Sequence, residues 1–195
     1  MKAVGRVAPA EVRVIGGAWK RSKLPVLDKP GLRPTPDRVR ETLFNWLGQD
    51  LSGWHCLDAF AGSGALGFEA GSRGAAEVVL LERDPALVRQ LIEVQKRLNA
   101  TALRIERADA LAWMAGATAG RFHLVCLDPP FDAGLFEPSM RVAARLLANA
   151  GFLYLEAPES WDDGRLAPLG YRLHRHGRAG AVHFHLLQHA PKRTF

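Results

Sequence analysis

From Trp54 onward, short apolar runs alternate with stretches whose apolar residues fall at helical spacing. CLDAF (56–60), VVLLE (78–82), LRIER (103–107), HLVCLD (123–128) and FLYLEA (152–157) read as strands. Between them the pattern predicts helices from Gly64 to Ser72, from Pro85 to about Leu98, a short one from Asp109, and one over about 134–149. Apolar strands interleaved with helices in this way predict a parallel sheet covered on both faces. The end of the chain breaks the rhythm. YRLHRH (171–176) and AVHFHLL (181–187) are separated only by GRAG, too short for a parallel crossover, so they form an antiparallel hairpin at the sheet edge. Upstream, VRVIGGAWKRSKLPVL (12–27) predicts a hairpin around Gly16-Gly17. Pro30, Gly31, Pro34 and Pro36 then punctuate a loop. Asp37 is placed to cap a helix over 38–48, with Val39, Leu43, Phe44 and Leu47 on one face.

Length and charge refine this picture. At 195 residues and 21.4 kDa the chain is sized for one domain with an appendage. Its longest apolar run, Ala110 to Ala115, is far short of a membrane span, and the N-terminus lacks a signal-peptide core. Cys56 and Cys126 both sit in strand-like runs, which argues against a disulfide scaffold or a thiolate metal site. A cytoplasmic protein with no membrane partner is expected. The net charge of +6 is unevenly spread. Residues 1–40 hold ten Lys/Arg against three acids, and 165–195 hold six Lys/Arg and no acid, leaving an acidic middle. Such polarity fits a polyanion-binding surface at the ends.

Asp58-Ala-Phe-Ala-Gly62-Ser-Gly64-Ala-Leu-Gly67 falls where the first strand of the alternating region turns into a helix. Its glycines satisfy G-x-G-x-x-G, which lets backbone and helix N-terminus approach a ligand closely. Glu82 ends the next strand, where a carboxylate can accept from ribose hydroxyls. No Gly-Lys-Ser/Thr follows, so a P-loop is excluded, while NAD still fits the glycines. Asp58, expected at the lip of the loop, is the wrong sign for a pyrophosphate and compatible with the ammonium and sulfonium of S-adenosylmethionine. Asp109 could accept from an adenine amino group with the Ala110 N–H beside it, or simply cap a helix. Phe60 in the loop and Arg83 beside Glu82 complete the candidate cofactor set.

The fourth of these strands ends Asp128-Pro129-Pro130-Phe131. In an open α/β sheet this end lies next to the glycine loop, near the switch point. Two prolines remove N–H donors and leave carbonyls free, so Asp128 and the Pro129 carbonyl form an acceptor-only pair. That pair suits transfer to an exocyclic amine: two acceptors on its N–H bonds favour pyramidal nitrogen and stabilise the positive charge that develops there. Phe131 can stack on a flipped base.

Here the chain resembles the RsmD-type 16S ribosomal RNA guanine-N2 methyltransferases. The resemblance runs over about 12 to 188 and rests on Arg13-Val-Ile-Gly-Gly17, Lys23-Leu-Pro, Gly31-Leu-Arg-Pro-Thr35, Asp37-Arg-Val-Arg-Glu-Thr-Leu-Phe-Asn-Trp46, the Asp58–Gly64 loop and Asp128-Pro-Pro-Phe131. It implies an α/β class I methyltransferase (Rossmann-like) fold, a mostly parallel seven-stranded sheet with a C-terminal antiparallel hairpin, plus an N-terminal β-hairpin and helix extension. It further implies S-adenosyl-L-methionine as cofactor, S-adenosylhomocysteine as product, and 16S rRNA in an assembled or assembling small ribosomal subunit as partner. The chain is expected to act as a monomer. Residues 1–36 then form a basic RNA-binding arm and 37–195 the catalytic domain. Arg13, Lys20, Arg21 and Lys23 are expected to grip RNA backbone, with Arg33 and Arg38 able to reach RNA, cofactor or the arm's docking face. Deleting residues 1–30 is expected to abolish methylation and spare cofactor affinity. Glu156 reads as structural, and histidines 174, 176, 183, 185 and 189 read as solvated edge-strand residues or RNA contacts, with no metal. Methylation of another RNA base or of DNA adenine shares the same catalytic end. An NAD-dependent oxidoreductase would need a catalytic Tyr-Lys or His pair that is not evident, and a non-catalytic RNA-binding relative would have had no need to keep Asp128.

Overall fold

In the computed structural model, residues 11–189 are described; the first ten residues of the arm and the last six of the chain lie outside them. In chain order the elements are β1 (Glu11–Arg13), β2 (Lys23–Pro25), α1 (Asp37–Leu47), β3 (His55–Asp58), α2 (Ala65–Ser72), β4 (Glu77–Glu82) and α3 (Pro85–Arg97). There follow β5 (Leu103–Arg107), α4 (Ala110–Gly116), β6 (Phe122–Leu127), α5 (Phe136–Leu146), β7 (Leu147–Ala157), α6 (Asp163–Leu166), β8 (Tyr171–Ala179) and β9 (Val182–His189). Seven strands form one sheet in the order β5-β4-β3-β6-β7-β9-β8, parallel except where β9 joins β7 and β8. The order reverses between β3 and β6, so the carboxyl ends of these two strands border the crevice where ligands bind in such sheets. Among the described residues no helix is long and apolar enough to cross a membrane.

Strand residues alternate between two cores. Cys56, Leu124, Cys126, Tyr154 and Phe184 face α1, α2 and the β1–β2 hairpin, while Leu57, Val125, Leu127 and Leu155 face α4 and α5. The hairpin is built into the first core: Val12, Val14 and Leu24 are buried there with Leu43, Phe44 and Phe68. It is clamped to α2 by Glu69, whose carboxylate accepts from the Ile15 and Gly16 amides at 2.9 Å each. The same buried carboxylate pairs with Arg40 (3.1 Å) and Arg73 (2.9 Å). Gly17 closes the clamp. Its φ is +75°, and a Cβ there would meet the Ser72 carbonyl at 1.8 Å.

Several expectations change in detail. Asp37 does not cap α1; Pro36 holds that position, and Asp37 instead pairs with buried Arg40 at 2.5 Å. The helix expected over 134–149 ends at Leu146, because the chain turns into β7 and Ala150 takes a left-handed φ of +60° beside Gly151. Among the edge histidines, His185 is buried rather than solvated. It accepts from the Trp161 amide at Nε2 (3.1 Å), its other ring nitrogen faces the Leu155 carbonyl, and burial pushes its pKa down to about 4. His176 and His183 lie on the same side of the hairpin, ring nitrogens 2.9 Å apart. Because a fully buried imidazole, kept neutral by burial and bonded to the main chain, sits beside them, solvation alone does not account for this cluster.

Candidate active site

The glycine turn follows β3. Gly62 and Gly64 have φ of +53° and +78°, which allows the backbone to fold under a ligand before α2 begins at Ala65. Glu82 fastens this turn: its carboxylate accepts from the Gly62 amide at 3.0 Å and from the Asp84 amide at 2.8 Å. Each oxygen keeps a second lone pair for a ligand hydroxyl. Asp84 in turn caps α3 by accepting from Ala86 and Leu87. Beyond Glu82 a cavity of about 240 Å³ is lined by Arg83, Arg107, Ala108 and Asp109. Asp109 caps α4, accepting from Ala112 at 2.9 Å, and the same residue lines this cavity. Ala110 is the first residue of that helix, and Phe60 packs beside the second core.

Asp58 is not at the lip of the loop. It is 4% exposed and accepts from the Gly67 amide at 2.9 Å, tying the strand to the first turn of α2. Burial, with the Glu82 and Glu156 charges, pushes its pKa up to about 7 against the pull of the Gly67 N–H. The expectation of a surface carboxylate fails because the side chain points into the face shared by Cys126 and Tyr154.

That face holds three carboxylates. Asp58 pairs in register with Cys126, Cys126 with Tyr154, and Leu127 with Leu155. Asp128 therefore continues β6 opposite Glu156 on β7, with Asp58 one strand away on the other side. Burial and the neighbouring Glu156 and Asp58 hold Asp128 well above the usual carboxylate range. Glu156, 4% exposed, accepts from the Thr35 hydroxyl at 2.6 Å and from Tyr154 at 2.9 Å, and burial raises its pKa too. Its place beside Asp128 and its bond to the arm were not legible in sequence, because 121 residues separate Thr35 from Glu156.

Beyond Asp128, Pro129 is buried and Pro130 starts a short 3₁₀ turn, its carbonyl accepting from Ala133. Among the described residues, no loop or turn amide donates to the Pro129 carbonyl. Asp128 and that carbonyl thus remain acceptors at the switch point. Phe131 is 38% exposed, the one large apolar side chain so exposed among the described residues. It leans on Phe136 (6.0 Å), which leans on Trp161 (6.4 Å), so a rigid aromatic row backs it. The basic residues Arg13, Lys20, Arg21, Lys23, Arg33 and Arg38 are all exposed. Arg13 and Lys23 stand opposite each other across the hairpin, and Lys23 also pairs with Glu11 at 2.9 Å. Among the described residues no cluster of three or more His, Cys, Asp or Glu side chains could hold a metal.

Residues 12–188 match the family described as Conserved hypothetical protein 95. The chain is 43% identical over 191 residues to Ribosomal RNA small subunit methyltransferase D of Escherichia coli, covering 96% of this chain and 95% of that one. A solved structure of an Escherichia coli protein, provisionally named a methyltransferase, superposes with a TM-score of 0.80 at 41% identity, covering 92% of this chain and 98% of that one. An RNA methyltransferase from Salinibacter ruber, solved with S-adenosyl-L-homocysteine, shares the fold at a TM-score of 0.63 and 17% identity, over 82% of this chain and 95% of that one.

Proposed function

Because the chain belongs to the ribosomal RNA small subunit methyltransferase D family and is an S-adenosylmethionine-dependent methyltransferase, we propose that it methylates the exocyclic N2 amine of one guanine in 16S rRNA of the small ribosomal subunit. The residues present fit the cofactor. A glycine turn tied by Glu82 and a cavity ending at Asp109 accept an adenosine, and Asp58 offers no positive charge for a phosphate. When bound, S-adenosylmethionine supplies a methyl group on a positively charged sulfur, ready for displacement.

One observation carries the reading: Asp128 and the Pro129 carbonyl stand as acceptors at the sheet's switch point, with exposed Phe131 beside them. An amine conjugated with its ring is a weak nucleophile. With its two N–H bonds accepted by Asp128 and Pro129, the nitrogen becomes more pyramidal and its lone pair turns toward the methyl carbon. Asp128 is favoured in its ionised form, against burial and its acidic neighbours, by the positive sulfur of the bound cofactor; that charge offsets the positive charge growing on nitrogen, and the proton nitrogen sheds after transfer passes to Asp128 and on to solvent. Phe131 holds the base by stacking, as side chains do for bases taken out of a nucleic-acid stack. The six exposed cations on the arm, its loop and the first turn of α1 supply phosphate contacts. Tritiated methyl transfer to small subunits lacking the modification tests the assignment. The product nucleoside is expected to be N2-methylguanosine; N6-methyladenosine would replace this reading with the adenine alternative.

A further inference from the structure

The arm's loop does more than lead from hairpin to α1. It runs antiparallel along α3, with Arg97 donating to the Lys23 carbonyl at one end and Gln90 to the Pro25 carbonyl midway. At the start of α3, Lys29 meets Asp84 at 2.5 Å, and this partner holds the Asp84 carboxyl below its usual range. The loop then crosses to the other side of the crevice, where the Thr35 hydroxyl donates to Glu156 at 2.6 Å. Its two anchors therefore sit beside the two halves of the site. Asp84 donates its amide to Glu82, the carboxylate that ties the glycine turn, and Glu156 is Asp128's neighbour. Between the anchors Leu32 lies on the turn itself. A Cβ built on Gly62 would come within 2.9 Å of the Leu32 Cδ1.

We propose that residues 29–35 form a strap that supplies the arm-side wall of the cofactor site, with Leu32 as the wall and Lys29 as a positioning residue that holds it there through Asp84. The glycine turn is thus glycine at position 62 for two reasons: its left-handed φ, and the space Leu32 occupies above it. Leu32 adds apolar surface over the glycine turn, on the other side of Glu82 from the cavity lined by Arg83, Arg107, Ala108 and Asp109. Lys29 touches no reacting atom. It restricts the strap to the closed position, so the cofactor meets a wall already in place and less ordering is required on binding. The exposed Arg33 lies next to Leu32 in the same strap. RNA held by Arg33 would press on that wall, and by linkage cofactor and RNA would tighten each other's binding.

Calorimetric titration of S-adenosylhomocysteine into the full chain, without RNA, tests the strap at a temperature well below the melting transition of each variant. Leu32→Ala is expected to weaken binding about 10-fold, the scale of lost apolar contact in a pocket. Lys29→Met and Asp84→Asn are expected to weaken it about 3- to 5-fold, as for a partly exposed ion pair. Lys29→Arg restores the pair and is expected to bind like the parent. Unchanged affinity in Leu32→Ala and Lys29→Met overturns the proposal, as does equal weakening by Lys29→Arg and Lys29→Met. The inference rests on the methyltransferase reading alone. With no RNA in the experiment, a different target base would leave its result untouched.

Discussion

Three carboxylates, Asp58, Asp128 and Glu156, converge from adjacent strand ends on one face of the sheet. Burial raises all three, and neighbouring carboxylates add to the rise at Asp58 and Asp128, while the Thr35 and Tyr154 hydroxyls pull Glu156 back. Asp58 gives the clearest consequence for stability. Its folded pKa, about 7, lies above the ordinary carboxylate value of 3.8, so the folded state binds the proton more tightly than the unfolded chain. The contribution is fully present below the unfolded value and is lost as pH rises through about 7. Asp58→Asn keeps an acceptor for the Gly67 amide and removes the titration. It is expected to be more stable than the parent at pH 8, by up to roughly 4 kcal/mol, and to lose that advantage toward pH 4. Urea melts of both proteins at the two pH values measure this directly. The acidity of these residues was legible in sequence, and so was the position of Asp128. The burial of Asp58 was not, because a strand-end acid before a glycine turn can point up to a ligand or down into the sheet.

The helices and strands from β3 to β7 were legible, since apolar strands and amphipathic helices differ in period and each turn carries Gly, Asp or Pro, whereas the short α6 carried no such pattern. Boundaries moved where a local pattern was outvoted: α5 stops at Leu146 because Leu147 turns extended and pairs with Phe122, and the irregularity at Ala150 then lies within β7. What remained hidden was the docking of the arm. Glu69 is a lone acid in the apolar helix ALGFEAGS, and only the fold brings it to Arg40, Arg73 and the amides of Ile15 and Gly16. This clamp joins hairpin, α1 and α2. Glu69→Ala would leave two buried guanidinium groups and two amides without this acceptor, at an expected cost of about 3–5 kcal/mol. Chemical denaturation gives that figure, and a loss under 1 kcal/mol would show the clamp to be dispensable. For the same reason excision of residues 1–30 no longer tests RNA binding, since it removes buried Val12, Val14 and Leu24 from the core.

At the scale of the whole molecule, the arm joins two tasks: its outer surface is cationic, and its loop crosses the catalytic crevice. Surface charge separates them without disturbing the core. Replacing Arg13, Lys20, Arg21 and Lys23 together by Gln is expected to raise the KM for RNA and to flatten its salt dependence, reducing the slope by about 3. Affinity for S-adenosylhomocysteine and the melting temperature should stay at the parent's values. Fluorescence titration of an RNA fragment over a range of salt concentrations measures the slope. A parallel shift in cofactor affinity would mean that these cations act through the fold. The proposed mechanism depends on an acceptor at position 128, and single-turnover methyl transfer with cofactor and small subunits at saturation tests it most directly. Asp128→Ala is expected to lose at least ~100-fold in rate, with Asp128→Asn intermediate because it keeps an acceptor oxygen and loses the charge. Parent-like rates in Asp128→Ala would contradict the account at its centre.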